Sequence, residues 1–96
     1  MLIRIVRMTF AAGEIPAFRA LFEQTKNQIR QQPGCLHLEL WQDADQSRIF
    51  CTHSHWQNQA ALDMYRRSEL FGQVWSATKK LFAAPALVFS SLIICD

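Results

Sequence analysis

The segment Cys35–Trp56 constrains the fold more than any other part of this chain. In "CLHLELWQ", Leu36, Leu38 and Leu40 alternate with His37, Glu39 and Trp41, the period of a strand with one buried face. The turn-forming "DADQS" follows, and "RIFCTHSHW" returns as a second strand, so the middle of the chain reads as an antiparallel hairpin. What flanks the hairpin is nearly symmetrical. Before it, "LIRIVRMTF" (2–10) is short and β-branched, and Gly13 ends it. Ile15, Phe18, Leu21, Phe22, Thr25 and Ile29 then recur at helical spacing in "EIPAFRALFEQTKNQIRQQ", with Pro16 tolerated in the first turn. Pro33-Gly34 stops that helix. After the hairpin, a short helical piece runs from Asn58-Gln59 to about Arg67. Ser68 is placed to cap a second long helix, with Glu69 in the first turn complementing the helix dipole. Leu70, Phe71, Val74, Trp75, Thr78, Leu81 and Phe82 form its apolar stripe, Pro85 breaks it, and "ALVFSSLIIC" is the last strand. The order β-α-β-β-α-β, with the second helix split, predicts an α+β ferredoxin-like fold: a four-stranded antiparallel sheet with helices on one face. Ninety-six residues suit one domain, 1–96.

The terminal strands carry a further consequence. Leu2, Val6, Met8 and Phe10 lie on one face of the first strand and Ile3 and Ile5 on the other. Leu87, Val88, Phe89, Leu92, Ile93 and Ile94 make the last strand apolar on both faces as well. Two helices cover only one face of such a sheet, and an uncovered apolar face of several hundred Å² is unusual on a monomer. A homodimer packed sheet against sheet is therefore expected.

Composition narrows the function classes. The net charge is only +2, and just Arg66-Arg67 and Lys79-Lys80 bring basic residues together, so no stripe for nucleic-acid phosphates is expected. No run approaches the roughly 18 apolar residues of a membrane span. "MLIRIVRM" sets two arginines inside the first apolar run, unlike a signal peptide. Cys35, Cys51 and Cys95 are odd in number and lack CxxC spacing, which suits reduced thiols and a cytoplasmic protein.

The chemical side chains concentrate in "THSHW". On a strand, His53 and His55 share a face about 6.5–7 Å apart. Cys51 shares that face, and His37 on the paired strand is a third imidazole. Such a set suits zinc, copper or non-haem iron, but histidines on half-buried strands more commonly bond to neighbours or water. Pocket lining, with no metal site, is the expectation. Tyr65 and Trp75 lie on the segments that cover the sheet and are placed to overhang a pocket; core packing is the plainer reading of both.

The segment "HSHWQNQAALDMYRRSELFGQVW" resembles the antibiotic biosynthesis monooxygenase (ABM) family at Trp56, Ala61-Leu62, Tyr65 and Ser68-Glu69-Leu70-Phe71, and "PGCLHLELWQD" resembles that family's turn and second strand. The resemblance implies the dimeric α+β barrel. It also implies a cofactor-independent monooxygenase oxidising a quinol- or anthrone-like aromatic with O₂. The alternative it leaves open is a ligand-binding or detoxifying member without that chemistry. In the oxygenase, His53, Tyr65 and Trp56 would be catalytic, and His37, Thr52, His55, Phe71 and Trp75 would bind substrate. Polyketide-oxidising relatives carry Asn where this chain has Thr52, and another Asn in the first strand, where none stands here. The haem-degrading pattern of Asn, Trp and His falls on Val6, Tyr65 and Trp75, so haem degradation is not expected.

Overall fold

The computed structural model describes residues 1–96. Strand β1 (Leu2–Thr9) leads through a turn at Gly13, whose φ is +85°, into helix α1 (Ile15–Arg30). The hairpin is β2 (Cys35–Gln42) and β3 (Ile49–Trp56). Two short helices, α2 (Gln59–Arg66) and α3 (Glu69–Lys79), precede β4 (Leu87–Leu92). The sheet order is β2-β3-β1-β4, antiparallel throughout, which is the ferredoxin-like α+β arrangement predicted from the sequence.

The split of the second helix is set by two caps. Asn58 accepts a hydrogen bond from the Ala61 amide at 2.9 Å, and Ser68 Oγ accepts from the Phe71 amide at 3.1 Å. Each satisfies a donor that the first helical turn leaves free. Gly34 holds φ +81°, and a Cβ there would collide with Ala61. The turn before β2 therefore requires glycine both for its backbone and for the approach of α2.

Two details depart from the sequence reading. β4 stops at Leu92, not at Cys95, because its only partner ends there: Leu2, the first residue of β1, pairs with Leu92. Leu36 does not share the buried face of Leu38 and Leu40. Cys35 pairs with Trp56 and His37 with His55, so Leu36 is the extra residue of a bulge and is exposed.

The helix-side face of the sheet is filled at its two ends. At one end Met8, Phe10, Phe18 and Phe50 form a cluster, with the Phe10 and Phe18 rings stacked at 4.1 Å. At the other, Leu2, Trp56 and Leu62 form a second cluster, joined by the half-buried Cys35. Between them, the inward positions of the central strands are Arg4 and Val6 on β1, paired with Ser54 and Thr52 on β3. These four do not fill the gap under the helices as Phe and Trp do at the ends.

Candidate functional site: a cavity between sheet and helices

That gap is a cavity of about 220 Å³. Arg4, Val6, Thr52 and Ser54 form its floor, Phe18 and Phe22 of α1 one wall, and Tyr65, Arg66, Phe71 and Trp75 of the split helix the other. Most of the lining is apolar. The split of the helix positions the second wall. Because Ser68 restarts the chain after α2, Tyr65 and Phe71 come from different helices yet meet edge to face at 5.3 Å. The aromatic run continues in both directions. Tyr65 stacks on Trp56 at 5.0 Å and 18°, and Phe71 on Trp75 at 6.0 Å and 12°.

Trp56 is 1% exposed and its indole N–H donates to Ser54 Oγ at 3.0 Å. Its donor is spent inside the protein, so Trp56 serves the cavity as the backing of Tyr65. Tyr65 differs. Burial, and then the Cys35 thiol nearby, push its phenol up to about 12. No buried polar side-chain atom lacks a partner, and the Tyr65 hydroxyl bonds to no other group of the chain, so it is open to whatever enters. At neutral pH it is a hydrogen-bond donor and not a base.

The charge in the cavity is arginine. Arg4 Nη1 donates to Ser90 Oγ at 2.9 Å, which holds the guanidinium against β4. Its pKa is lowered by burial first and by the nearby Arg66 second, while Asp63 opposes both. A guanidinium stays charged under such perturbation. Arg4 in the floor and Arg66 in the wall, offset in part by Asp63, leave a positive field that an anion would relieve.

The model of the family described as antibiotic biosynthesis monooxygenase matches residues 1–75. The chain belongs to this family. Among solved structures, one described as an antibiotic biosynthesis monooxygenase superposes with a TM-score of 0.91 at 22% identity, over 99% of this chain and 100% of its own. A protein from Mycobacterium tuberculosis gives 0.90 at 21%, over 99% and 96% of the two chains. One from Pseudomonas aeruginosa gives 0.85 at 23%, over 98% and 94%. These likenesses concern the fold. No curated protein matches the sequence.

In this ABM protein, five residues singled out from the sequence line the cavity: Thr52, Trp56, Tyr65, Phe71 and Trp75. The three histidines do not. His37, His53 and His55 occupy the opposite face of the sheet, with Ile3 and Ile5, because odd and even positions of a strand point to opposite sides. With Thr52 and Trp56 inward, His53 and His55 are necessarily outward, and a cavity role for them is not what the fold provides. Arg4, Ser54 and Arg66 are cavity residues that the sequence reading missed. For Arg4 a signal existed: it is the one charged residue in the inward row Leu2, Arg4, Val6, Met8.

On the outer face, Glu39 gathers the imidazoles. Its Oε1 lies 3.0 Å from His53 Nδ1, 3.2 Å from His37 Nε2 and 3.3 Å from the Trp41 indole nitrogen. These contacts, His53 first and His37 second, hold the carboxyl down to about 2. His53 Nε2 in turn meets His55 Nε2 at 2.9 Å. Burial, then the neighbouring histidines, lower the His55 pKa. No helix of the protein is long and apolar enough to cross a membrane.

Proposed function

We propose that this ABM protein binds a small planar phenol, quinol or anthrone as its anion in the helix-side cavity and oxidises it with O₂ without a cofactor. The observation that carries the reading is the pair Arg4 and Arg66, the only charged residues in the lining of an aromatic-rich, mostly apolar cavity. Triplet oxygen reacts slowly with closed-shell molecules, so the substrate must supply the first electron, and its anion does so far more readily than the neutral form. The half-buried Arg4 and the more exposed Arg66 stabilise that anion by charge-assisted hydrogen bonds and lower the pKa of the bound substrate. The proton leaves to solvent, so no histidine need face the cavity. For an anthrone the balance closes without an external reductant. The CH₂ carbon becomes a carbonyl, one atom of O₂ enters it, and the other leaves with both hydrogens as water.

The remaining roles follow from position. Tyr65 and Thr52 donate hydrogen bonds to the substrate oxygen, and Phe71 and Trp75 cover its flat face. At about 220 Å³ the cavity falls below the roughly 300–1,000 Å³ of pockets for drug-sized ligands, which favours a compact ring system. One observation favours a second reading, a binding module without oxygenase chemistry: with the histidines on the other face and Tyr65 at about 12, no side chain titrating near neutrality lines the cavity.

We also propose the sheet-to-sheet homodimer. Leu87 and Phe89 are more than half exposed on the face that the helices do not cover, beside Ile3 and Ile5. The three free thiols are consistent with a reducing, cytoplasmic setting.

Oxygen consumption by chelator-treated protein decides between the readings, measured against quinols, anthrones and naphthols and corrected for autoxidation. Uptake well above the blank supports the oxygenase. No uptake, with a ligand still raising the melting temperature, replaces it with the binding module.

A further inference from the structure

We propose that His37, Glu39 and His53, on the outer face of the sheet, form a binding site for a divalent late transition-metal ion such as Zn²⁺ or Co²⁺. The three side chains offer ligand atoms that all lie within 4.8 Å of one another. Around Glu39 Oε1 the spacing is tighter, 3.0 Å to His53 Nδ1 and 3.2 Å to His37 Nε2. Metal–ligand bonds of about 2.0–2.2 Å set neighbouring donors about 3.0–3.5 Å apart, so these two edges already have the size of a coordination sphere. An ion between the three atoms would replace the hydrogen bonds that now join them.

The frame that holds the donors is the β2–β3 ladder. His37 and Glu39 are alternate residues of β2 on one face, and Glu39 pairs directly with His53 across the β2–β3 ladder. All three positions are thus fixed by the sheet and not by a loop, as a preorganised site requires. The surroundings supply an outer layer as well. With Nδ1 on the metal, His53 Nε2–H is left to donate to His55 Nε2, 2.9 Å away, which fixes the tautomer and ring orientation. Trp41 stacks on the His53 ring at 4.5 Å and its indole N–H approaches Glu39 at 3.3 Å, so both the imidazole and the carboxylate are braced.

Two imidazoles and one carboxylate select late transition ions over Mg²⁺ or Ca²⁺, which prefer all-oxygen shells. Three protein donors leave at least one position of the ion for water or a further ligand. The site is separated from the cavity by the sheet itself, so it stands whether or not the oxygenase reading does. In a sheet-to-sheet dimer it would lie on the covered face, and a second copy would shield the ion from solvent.

The experiment titrates chelator-stripped, reduced protein with Zn²⁺ in competition with a chromophoric chelator, and with Co²⁺ followed by its visible absorbance. The expected result is one ion per chain, with Co²⁺ bands that Zn²⁺ removes. Glu39→Gln and His37→Gln, both at exposed positions and expected to fold, should each weaken binding at least about tenfold. Cys51→Ser should bind as the parent does. Since the chain has only three histidines, their imidazole resonances can be followed individually, and those of His37 and His53 should shift on saturation with Zn²⁺. Binding well below one equivalent would overturn the proposal. So would full affinity in Glu39→Gln, or affinity lost in Cys51→Ser.

Discussion

Tyr65 is the chain's only tyrosine, which makes its ionisation directly measurable. Burial holds the phenol at about 12, against 10.0 for an unburied tyrosine. The folded pKa is raised, so the neutral phenol carries no penalty below pH 10. Above that the unfolded chain gains by ionising while the folded one does not. Stability is therefore lost as pH rises from about 10 to about 12, and two pH units correspond to roughly 2–3 kcal/mol. The perturbation is alkaline titration, read by phenolate absorbance in native protein and again in denaturant. The native midpoint should lie near 12 and the denatured one near 10, with the melting temperature falling across that window. Tyr65→Phe should abolish the absorbance change and the tyrosine's share of the stability loss, because the Trp56 stack is kept. A native midpoint near 10 would show that packing between Trp56 and Phe71 does not hold the phenol away from bulk water, and would remove burial as the cause.

Further outcomes follow from the same structure. Gly34→Ala should cost at least about 2 kcal/mol in a denaturant melt, because it combines positive φ with a collision at Ala61. Ser54→Ala should cost about 1–3 kcal/mol by leaving the buried Trp56 N–H unpaired; a neutral result would show that water replaces the hydroxyl. Phe89→Glu places a charge in the apolar part of the outer face, and light scattering should then give the mass of one chain where the parent gives two.

The fold was legible because its strongest signals are local. The hairpin period from His37 onward, Gly34 and the Ser68 cap each concern a few neighbouring residues, and these survive in the structure. The end of β4 was not legible, since Ile93 and Ile94 look as strand-like as Leu92 and only the length of β1 excludes them. The bulge at Leu36 was hidden for a similar reason: it depends on how Cys35 packs against Trp56 and Leu62 from elsewhere in the chain. The aromatic wall of the site could be found from helix spacing. The histidines could not share it, and strand parity alone says so, because Thr52 and Trp56 cannot point inward together with His53 and His55. The same parity singles out Arg4 as the polar interruption of an apolar row. Arg66 was obscured by its neighbour Arg67, since choosing between them requires the orientation of α2.

In the proposed function the ligand anion sits on the arginine side of the sheet and not on the histidine side. The most direct measurement is the affinity for a naphthol-class ligand, taken from the oxygen-uptake panel, in parent protein, Arg66→Gln and His53→Gln. One lost charge-assisted hydrogen bond is worth about 1.5–3 kcal/mol, so Arg66→Gln should bind at least about tenfold more weakly. His53→Gln should bind as the parent does. Loss of binding in His53→Gln, with Arg66→Gln unaffected, would move the site to the other face of the sheet.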